Sequence, residues 1–448
     1  MKKQFADFFI PGIILLLFLC GCQQAGDQPA IEQDQPAGVK AEPPEDKTSS
    51  PPPPPEVLDL DRALALMKIH NPFLKAAARR IEIETGNILQ ASLGPNPALN
   101  IREEHIPWDN FGFGELETKV TLSQTFELGG KRAARTGLAE SKKRLAVIEY
   151  ANIHIKIRLE VTFAFNNILY IQENIGLLKA ILEATEKLHA VALTKLNNGK
   201  ISRREFLHFD LALNHARLAN RNARAELKPA LAILGAAVGF RPEKFAARSC
   251  SGDLATALPP EEDAGGFVNI IQTGIPTGNP GILAATAKVD IATQNLAHAR
   301  TLRIPNATVG IMFAHNEAID RDFAGFSLDI PIPVRNTNQG GIKAAASELL
   351  AAKNNLNDME NKIHAEFQAW KENYLTACAN VIFYQTDITP QTQEAYDIAV
   401  AAFQGERLSY VETLDPLIAL LKARQSQLLW LRQAADAKAR LAALGGAR

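Results

Sequence analysis

Cysteine and methionine are scarce, with four of each in 448 residues. Two of the cysteines, Cys20 and Cys22, fall at the extreme N-terminus, leaving Cys250 and Cys378. A single remaining pair is no disulfide framework, and without a Cys-x-x-Cys the chain lacks the usual structural zinc ligands. Four methionines exclude a soft copper ladder. The formal net charge is −1, so the basic excess that nucleic-acid binding favours is missing. No phosphate loop is present: at Gly129-Gly130-Lys131-Arg132 an arginine stands where Ser or Thr is required, and Thr125 stands where glycine is required. The histidines are scattered; His208 and His215 are spaced to share a helix face, but lone histidines so spaced are rarely ligands. No nucleophile–base signature of an enzyme occurs, and neither cofactor nor resident metal is expected. Aromatics are sparse while Ala, Leu, Asn and Gln crowd the middle and end, a helix-rich composition.

The first 21 residues read as a targeting segment. Lys2 and Lys3 give a positive start, and the apolar run Phe8 to Leu19 is too short for a transmembrane helix. Leu19-Cys20-Gly21-Cys22 resembles a bacterial lipoprotein cleavage box, although Cys20 is unusual within it; an ordinary signal peptide is the other reading. The resemblance implies cleavage before Cys22, lipidation of Cys22, and, with Gln23 following, sorting to the outer membrane. Residues 22–57, rich in Pro, Gln, Glu and Asp and closed by Pro51 to Pro55, form an extended tether that cannot bury a core.

The pattern then turns regular. Leu58 to Leu93 reads as a helix capped by Asp59 or Asp61, broken near Asn71-Pro72 and stopped by Gly94-Pro95. A strand follows, with Leu99 and Ile101 alternating against Asn100 and Arg102. After a loop whose Trp108, Phe111 and Phe113 suit either a membrane interface or a private loop cluster, a second strand alternates strictly. Leu116, Val120, Leu122, Phe126 and Leu128 take one face; Glu117, Lys119, Thr121, Ser123, Thr125 and Glu127 take the other. At Gly129-Gly130 the period becomes helical and stays so to Asn198, a predicted helix roughly 100 Å long. It carries too many charges to be a membrane span. Asn197-Asn198-Gly199 turns the chain, and Ser202 caps a returning helix to Val238. Gly and Pro then break residues 239–278 into a connector.

The second half repeats the first. Asn71-Pro72 recurs as Asn279-Pro280, and Pro97 as Pro305, both 208 positions on. Ala307 to Phe313 and Phe326 to Val334 alternate as strands, and Gly340-Gly341 answers Gly129-Gly130 before a helix predicted to reach Gln404. Ser202, Glu205, Leu207, Ala212, Ala216 and Arg217 recur 207 positions on as Ser409, Glu412, Leu414, Ala419, Ala423 and Arg424. Pro331, Pro333 and Pro390 interrupt the second copy, so the halves are not equivalent. Residues 58–238 and 279–448 thus form two helix-strand-strand-long helix-helix units. Four strands with apolar faces cannot close a barrel, which takes at least about eight, so oligomerisation is expected, and the paired helices must close likewise into a tube.

This duplicated order, from about residue 58 to the end, resembles the TolC-like outer-membrane efflux factor family. The stretch Gln124-Thr125-Phe126-Glu127-Leu128-Gly129-Gly130-Lys131-Arg132 is most similar to its heavy-metal, cobalt-zinc-cadmium branch. The resemblance implies a mainly α protein with a membrane β-barrel part. Three copies would give a 12-stranded barrel in the outer membrane, continued by an α-helical periplasmic tube, with an equatorial domain at residues 239–278. It implies a homotrimer held in outer-membrane lipid, a periplasmic adaptor (membrane fusion) protein, and an inner-membrane pump of the resistance-nodulation-division (RND) class. The expected role is a passive exit duct for divalent metal cations. Drugs or other small molecules are the alternative cargo, and a non-pore structural lipoprotein is the reading from another class.

The same resemblance places an acidic periplasmic gate at Glu412 and Asp415, with Glu205 as the first-repeat counterpart beside His208. Spacing of three puts Glu412 and Asp415 on one helix face, which is also what a solvated face looks like, and Pro416 disturbs the local helix start. The helix reversals are the expected adaptor-docking tips: Asn198, Gly199 and Ser202 in the first, Gly405, Arg407 and Ser409 in the second. Lys131, Arg132 and Arg135 open a helix, where positive charge opposes the helix dipole. Lipid headgroups, pore lining and a solvated basic cluster all fit them.

Overall fold

The computed structural model describes residues 56–105, 116–258, 278–404 and 410–445, without the side chains of 404 and 410–413. A short strand β1 (Val57–Leu58) leads to α1 (Leu60–His70) and α2 (Pro72–Ser92), then to β2 (Ala98–Glu104) and β3 (Glu117–Phe126). Two long helices follow, α3 (Lys131–Asn197) and α4 (Arg203–Val238). The strand β4 (Ser249–Cys250) lies in the connector between two 3-10 turns. The second half is α5 (Pro280–Thr301), β5 (Ala307–Asn316), β6 (Arg321–Asp329), α6 (Gln339–Phe383), α7 (Thr389–Gln404) and α8 (Tyr410–Leu444).

Two asparagines organise the two halves in the same way. Asn71 has extended backbone, as the following proline demands, and its Oδ1 accepts from the N–H groups of Phe73 and Leu74 to start α2. Its Nδ2 donates to Ala237 O, 2.8 Å away at the end of α4. Asn279 repeats this: Oδ1 accepts from Gly281 and Ile282, and Nδ2 donates to Leu444 O at 2.8 Å, at the end of α8. Each side chain satisfies orphan groups on two helix ends, so the repeated Asn-Pro is a clamp as well as a break.

β2, β3, β5 and β6 form one antiparallel sheet in that order. β1 and β4 pair in parallel beside the packed helices; the chain from Leu58 is therefore first a short strand, and α1 begins only at Leu60. Leu58, Cys250, Met67, Ile157, Val161, Ile168, Leu234 and Val238 make the core there. A second cluster, including Phe367, Tyr374 and Leu441, joins α6 to α8. Asn166 Nδ2 donates to Asp436 Oδ1 at 2.9 Å across the α3–α8 contact, and burial holds the Asp436 carboxyl above the usual aspartate range. Cys250 and Cys378 are both buried free thiols.

Three details of the second half depart from the sequence pattern. β6 stops at Asp329 rather than running to Val334: Pro331 and Pro333 have no N–H to donate to a ladder, although the apolar alternation continues past them. The left-handed residue that opens the long helix is Asn338 (φ +57°), and Gly340 and Gly341 sit inside the first turn of α6. Asn338 lies 208 positions after Gly130 (φ +73°), its true counterpart, and its Nδ2 donates to Ala299 O at 2.8 Å. Finally, α6 and α7 are one rod widened by a π turn at Tyr384–Ile388, just before Pro390. The wider turn accommodates a ring that a regular helix would clash with; the 67-residue α3 has no such interruption.

Candidate functional site

The sheet has two unlike faces. In register across all four strands lie Leu99, Leu122, Ile311 and Phe326, then Ile101, Val120, Phe313 and Ala324. This apolar face is uncovered: Leu99 is 64% exposed, Ile101 65% and Phe326 71%. An uncovered apolar stripe across a whole sheet marks a membrane or protein interface. It ends at a polar row, Glu103, Thr118, His315 and Asp322, at the sheet end away from the helices. The opposite face carries Asn100, Arg102, Glu104, Glu117, Lys119 and Thr121 on β2 and β3, and is mixed on β5 and β6, where Gly310, Met312, Ala314, Phe323, Gly325 and Ser327 lie. Among the described residues no strand pairs with the outer edge of β2 or of β6. No described helix is long and apolar enough to cross a membrane.

At the near end the sheet is bolted to the long helices. Gly129 and Gly130 adopt left-handed φ of +72° and +73°. A Cβ on Gly129 would lie 2.5 Å from Ile304 Cδ1, so space as well as φ requires glycine there. Two of the three basic residues that oppose the helix dipole, Lys131 and Arg135, are struts. Arg135 donates to both carboxylate oxygens of Glu127, at 2.6 and 3.1 Å, and to Ala91 O and Leu93 O at 3.0 Å each. Two carbonyls at the end of α2 are thus satisfied from α3, and the Arg135 guanidinium holds the Glu127 carboxyl below the usual glutamate range. Lys131 is buried and donates to Asn306 Oδ1, tying α3 to the start of β5. Arg132 stays exposed.

At the far end α3 turns into α4. Asn198 ends α3, its N–H donating to Thr194 O at 3.1 Å, and Gly199 takes φ +71°. Ser202 and Glu205 form a capping box: Ser202 Oγ accepts from Glu205 N–H at 3.2 Å, and Glu205 Oε2 accepts from Ser202 N–H at 2.7 Å. Those bonds hold the Glu205 carboxyl below its ordinary range. The Glu205 carboxylate is thus ionised and tied to the turn. Asp415 is exposed on α8, and Pro416 lies within the helix. Glu412 lies on α8, but its side chain is outside the described residues, as are Gly405, Arg407, Ser409 and Cys22.

Nothing in the residue pattern indicates how the two helix hairpins meet. Lys195 Nζ donates to Phe403 O at 2.6 Å and lies 4.1 Å above the Phe403 ring. Phe403 in turn packs on Phe209, ring centroids 5.4 Å apart, within a cluster of Leu188, Phe206, Leu414 and Leu417. A cation on the last turn of α3 thus fastens the end of α7 beside the turn.

Comparison with known proteins agrees with this geometry. A model of the family described as outer membrane efflux protein matches residues 63–240. The chain is 25% identical over 375 residues to the cobalt-zinc-cadmium resistance protein CzcC of Cupriavidus metallidurans, covering 82% of this chain and 85% of that one. Among solved structures, the outer membrane protein VceC of Vibrio cholerae superposes with a TM-score of 0.70 at 17% identity, over 86% of this chain and 96% of that one. CusC, described in terms of transmembrane channel formation, gives 0.71 at 16% identity, over 87% and 93%. The open state of the Neisseria gonorrhoeae MtrE outer membrane channel gives 0.67 at 16% identity, over 86% and 88%.

Proposed function

We propose that this chain, which a model described as outer membrane efflux protein matches over residues 63–240, is a member of that family and the passive exit duct of a tripartite efflux system carrying divalent heavy-metal cations. The observation that carries the duct is the sheet: one uncovered apolar face, two open edges, and a polar face behind it. Three copies supply twelve strands, enough to close a barrel with the apolar faces outward to lipid and the polar faces around water. The α3–α4 and α6–α8 hairpins close the same way into a tube. Cys22, once lipidated, adds an anchor through the 22–57 tether; acyl chains and an integral barrel together hold far more firmly than one chain alone.

The turn at Asn198, Gly199 and Ser202, with Gly405, Arg407 and Ser409, is the adaptor-docking end, and the energised partner is an inner-membrane pump of the RND class. Glu412 and Asp415, with Glu205, ring the periplasmic mouth; three copies multiply the carboxylates there, favouring cations and repelling anions. Opening parts those rings by an iris movement of the helix tips. In planar bilayers, Glu412→Ala with Asp415→Ala lowers cation selectivity; unchanged selectivity and conductance would remove the gate from these residues.

Metal cargo is supported by the 25% identity to a cobalt-zinc-cadmium resistance protein over most of both chains and by the Gln124 to Arg132 stretch. The test is growth of a deletion strain across zinc, cobalt, cadmium, copper and a drug panel. Sensitivity confined to metals and restored by the intact gene supports the reading. Sensitivity to drugs alone keeps the duct and replaces its cargo with small molecules.

A further inference from the structure

We propose that the sheet end farthest from the helices holds a weak divalent-cation site built by Glu104, His105 and Glu117, with Lys119 as its built-in competitor. Glu104 ends β2, Glu117 begins β3, and the two are directly paired in the ladder. Both point to the polar face. His105 follows in the left-handed region, φ +62°, and its Nδ1 lies 3.3 Å from Glu117 Oε2. One donor atom from each of the three falls within 4.8 Å of the others.

The spacing suits a metal. Two ligands on a tetrahedral ion with bonds of about 2.0–2.1 Å stand about 3.3 Å apart, which is the His105–Glu117 separation already present. One imidazole and two carboxylates are a borderline-to-hard donor set, right for Zn2+ or Co2+ and wrong for a soft monovalent ion. Water completes the shell, since His105 is largely exposed.

Lys119 decides the affinity. Its Nζ lies 2.6 Å from Glu104 Oε2 and 3.3 Å from Glu117 Oε2, while Arg102 holds Glu104 Oε1 at 3.4 Å, so a metal competes with cations already paired to both carboxylates. A divalent ion must displace that ammonium, which a flexible four-carbon stem permits. Binding is thereby kept weak. The neighbouring β5–β6 hairpin brings Glu317, Asp320 and Arg321 to the same rim, while His315 and Asp322, Nδ1 to Oδ1 2.8 Å, belong to the row that ends the apolar face. Acid gathered at one rim raises the local cation concentration. In the barrel the site would recur once per copy around the outer mouth.

The proposal rests on the polar face lining the barrel and not on the cargo. Metal titration reads the site, growth on metals reads the cargo, and either can fail alone. The full-length protein, purified in detergent and stripped with a chelator, is titrated with Co2+ while its visible d–d absorption is followed, and Zn2+ is added as competitor. His105→Asn keeps a residue that tolerates left-handed backbone and removes the imidazole; it and Glu117→Gln raise the half-saturating Co2+ concentration about tenfold or more. Lys119→Met lowers it, an effect that a misfolded variant would not produce. His315→Ala leaves it unchanged. Half-saturation unmoved by His105→Asn and Glu117→Gln would overturn the site. So would Lys119→Met binding no tighter than the parent, or a response to His315→Ala in place of His105→Asn.

Discussion

Arg135 shows how one side chain joins two architectures. It grips Glu127 at the end of the sheet and two carbonyls at the end of α2, all from the first turn of α3. Charge-assisted hydrogen bonds of this kind are worth roughly 2 kcal/mol when broken, so Arg135→Ala lowers the thermal midpoint of the assembled protein. The pH dependence follows from Glu127, whose pKa in the fold lies below its ordinary 4.5. A depressed carboxyl contributes its stability above the unfolded value and loses it as pH falls through the folded one. The midpoint gap between the parent and Glu127→Gln is therefore full at neutral pH and closes as the buffer is taken below 4.5. A gap that persists undiminished in acid would show that Glu127 acts through packing instead. At the other end, Ser202→Ala removes the capping box and costs about 1 kcal/mol; hydrogen exchange reads the loss as faster opening of the first turn of α4.

At the scale of elements, the two sheet faces make opposite predictions for the same substitution. Phe326→Lys puts a charge in the apolar row that is proposed to face lipid and costs roughly 2–4 kcal/mol at the bilayer midplane; less assembled protein then reaches the outer membrane. Asn100→Lys, on the polar face, leaves assembly at the parent level. Equal yields would place the apolar face against protein rather than lipid. Much of this was legible beforehand. The change of period from two to 3.6 at Gly129 located the sheet-to-helix junction, and the Asn71-Pro72 repeat located both breaks, though not the clamps they make, because period and proline act locally. What stayed hidden is tertiary. β1 is too short to show a period. The overrun of β6 toward Val334 followed an alternation that two prolines cut off from the ladder. Matching Gly340-Gly341 to Gly129-Gly130 by residue type missed that asparagine also tolerates left-handed backbone, which Asn338 provides. Arg135 fitted lipid headgroups, pore lining or a solvated basic cluster alike, and Lys195 carried no signal, since their partners lie in other elements.

For the whole molecule, burial and exposure divide the labour. The helices keep their own cores, around Val161 and Leu234 and around Phe367 and Leu441, while the sheet leaves its apolar face uncovered for its surroundings. Phe403, fully buried among Phe209, Leu188 and Leu417, joins the hairpins where the proposed iris closes. Truncation to alanine of a buried phenylalanine costs about 3–5 kcal/mol, so Phe403→Ala loosens the tips and raises resting conductance before it unfolds the barrel. The uncovered apolar face is what lets copies of this sheet close into the proposed water-filled pore. Single-channel recording of the purified full-length protein in planar bilayers tests it directly. A duct gives discrete, nucleotide-independent, cation-selective conductance from a heat-modifiable trimer. A detergent-free monomer that leaves the bilayer silent would contradict it.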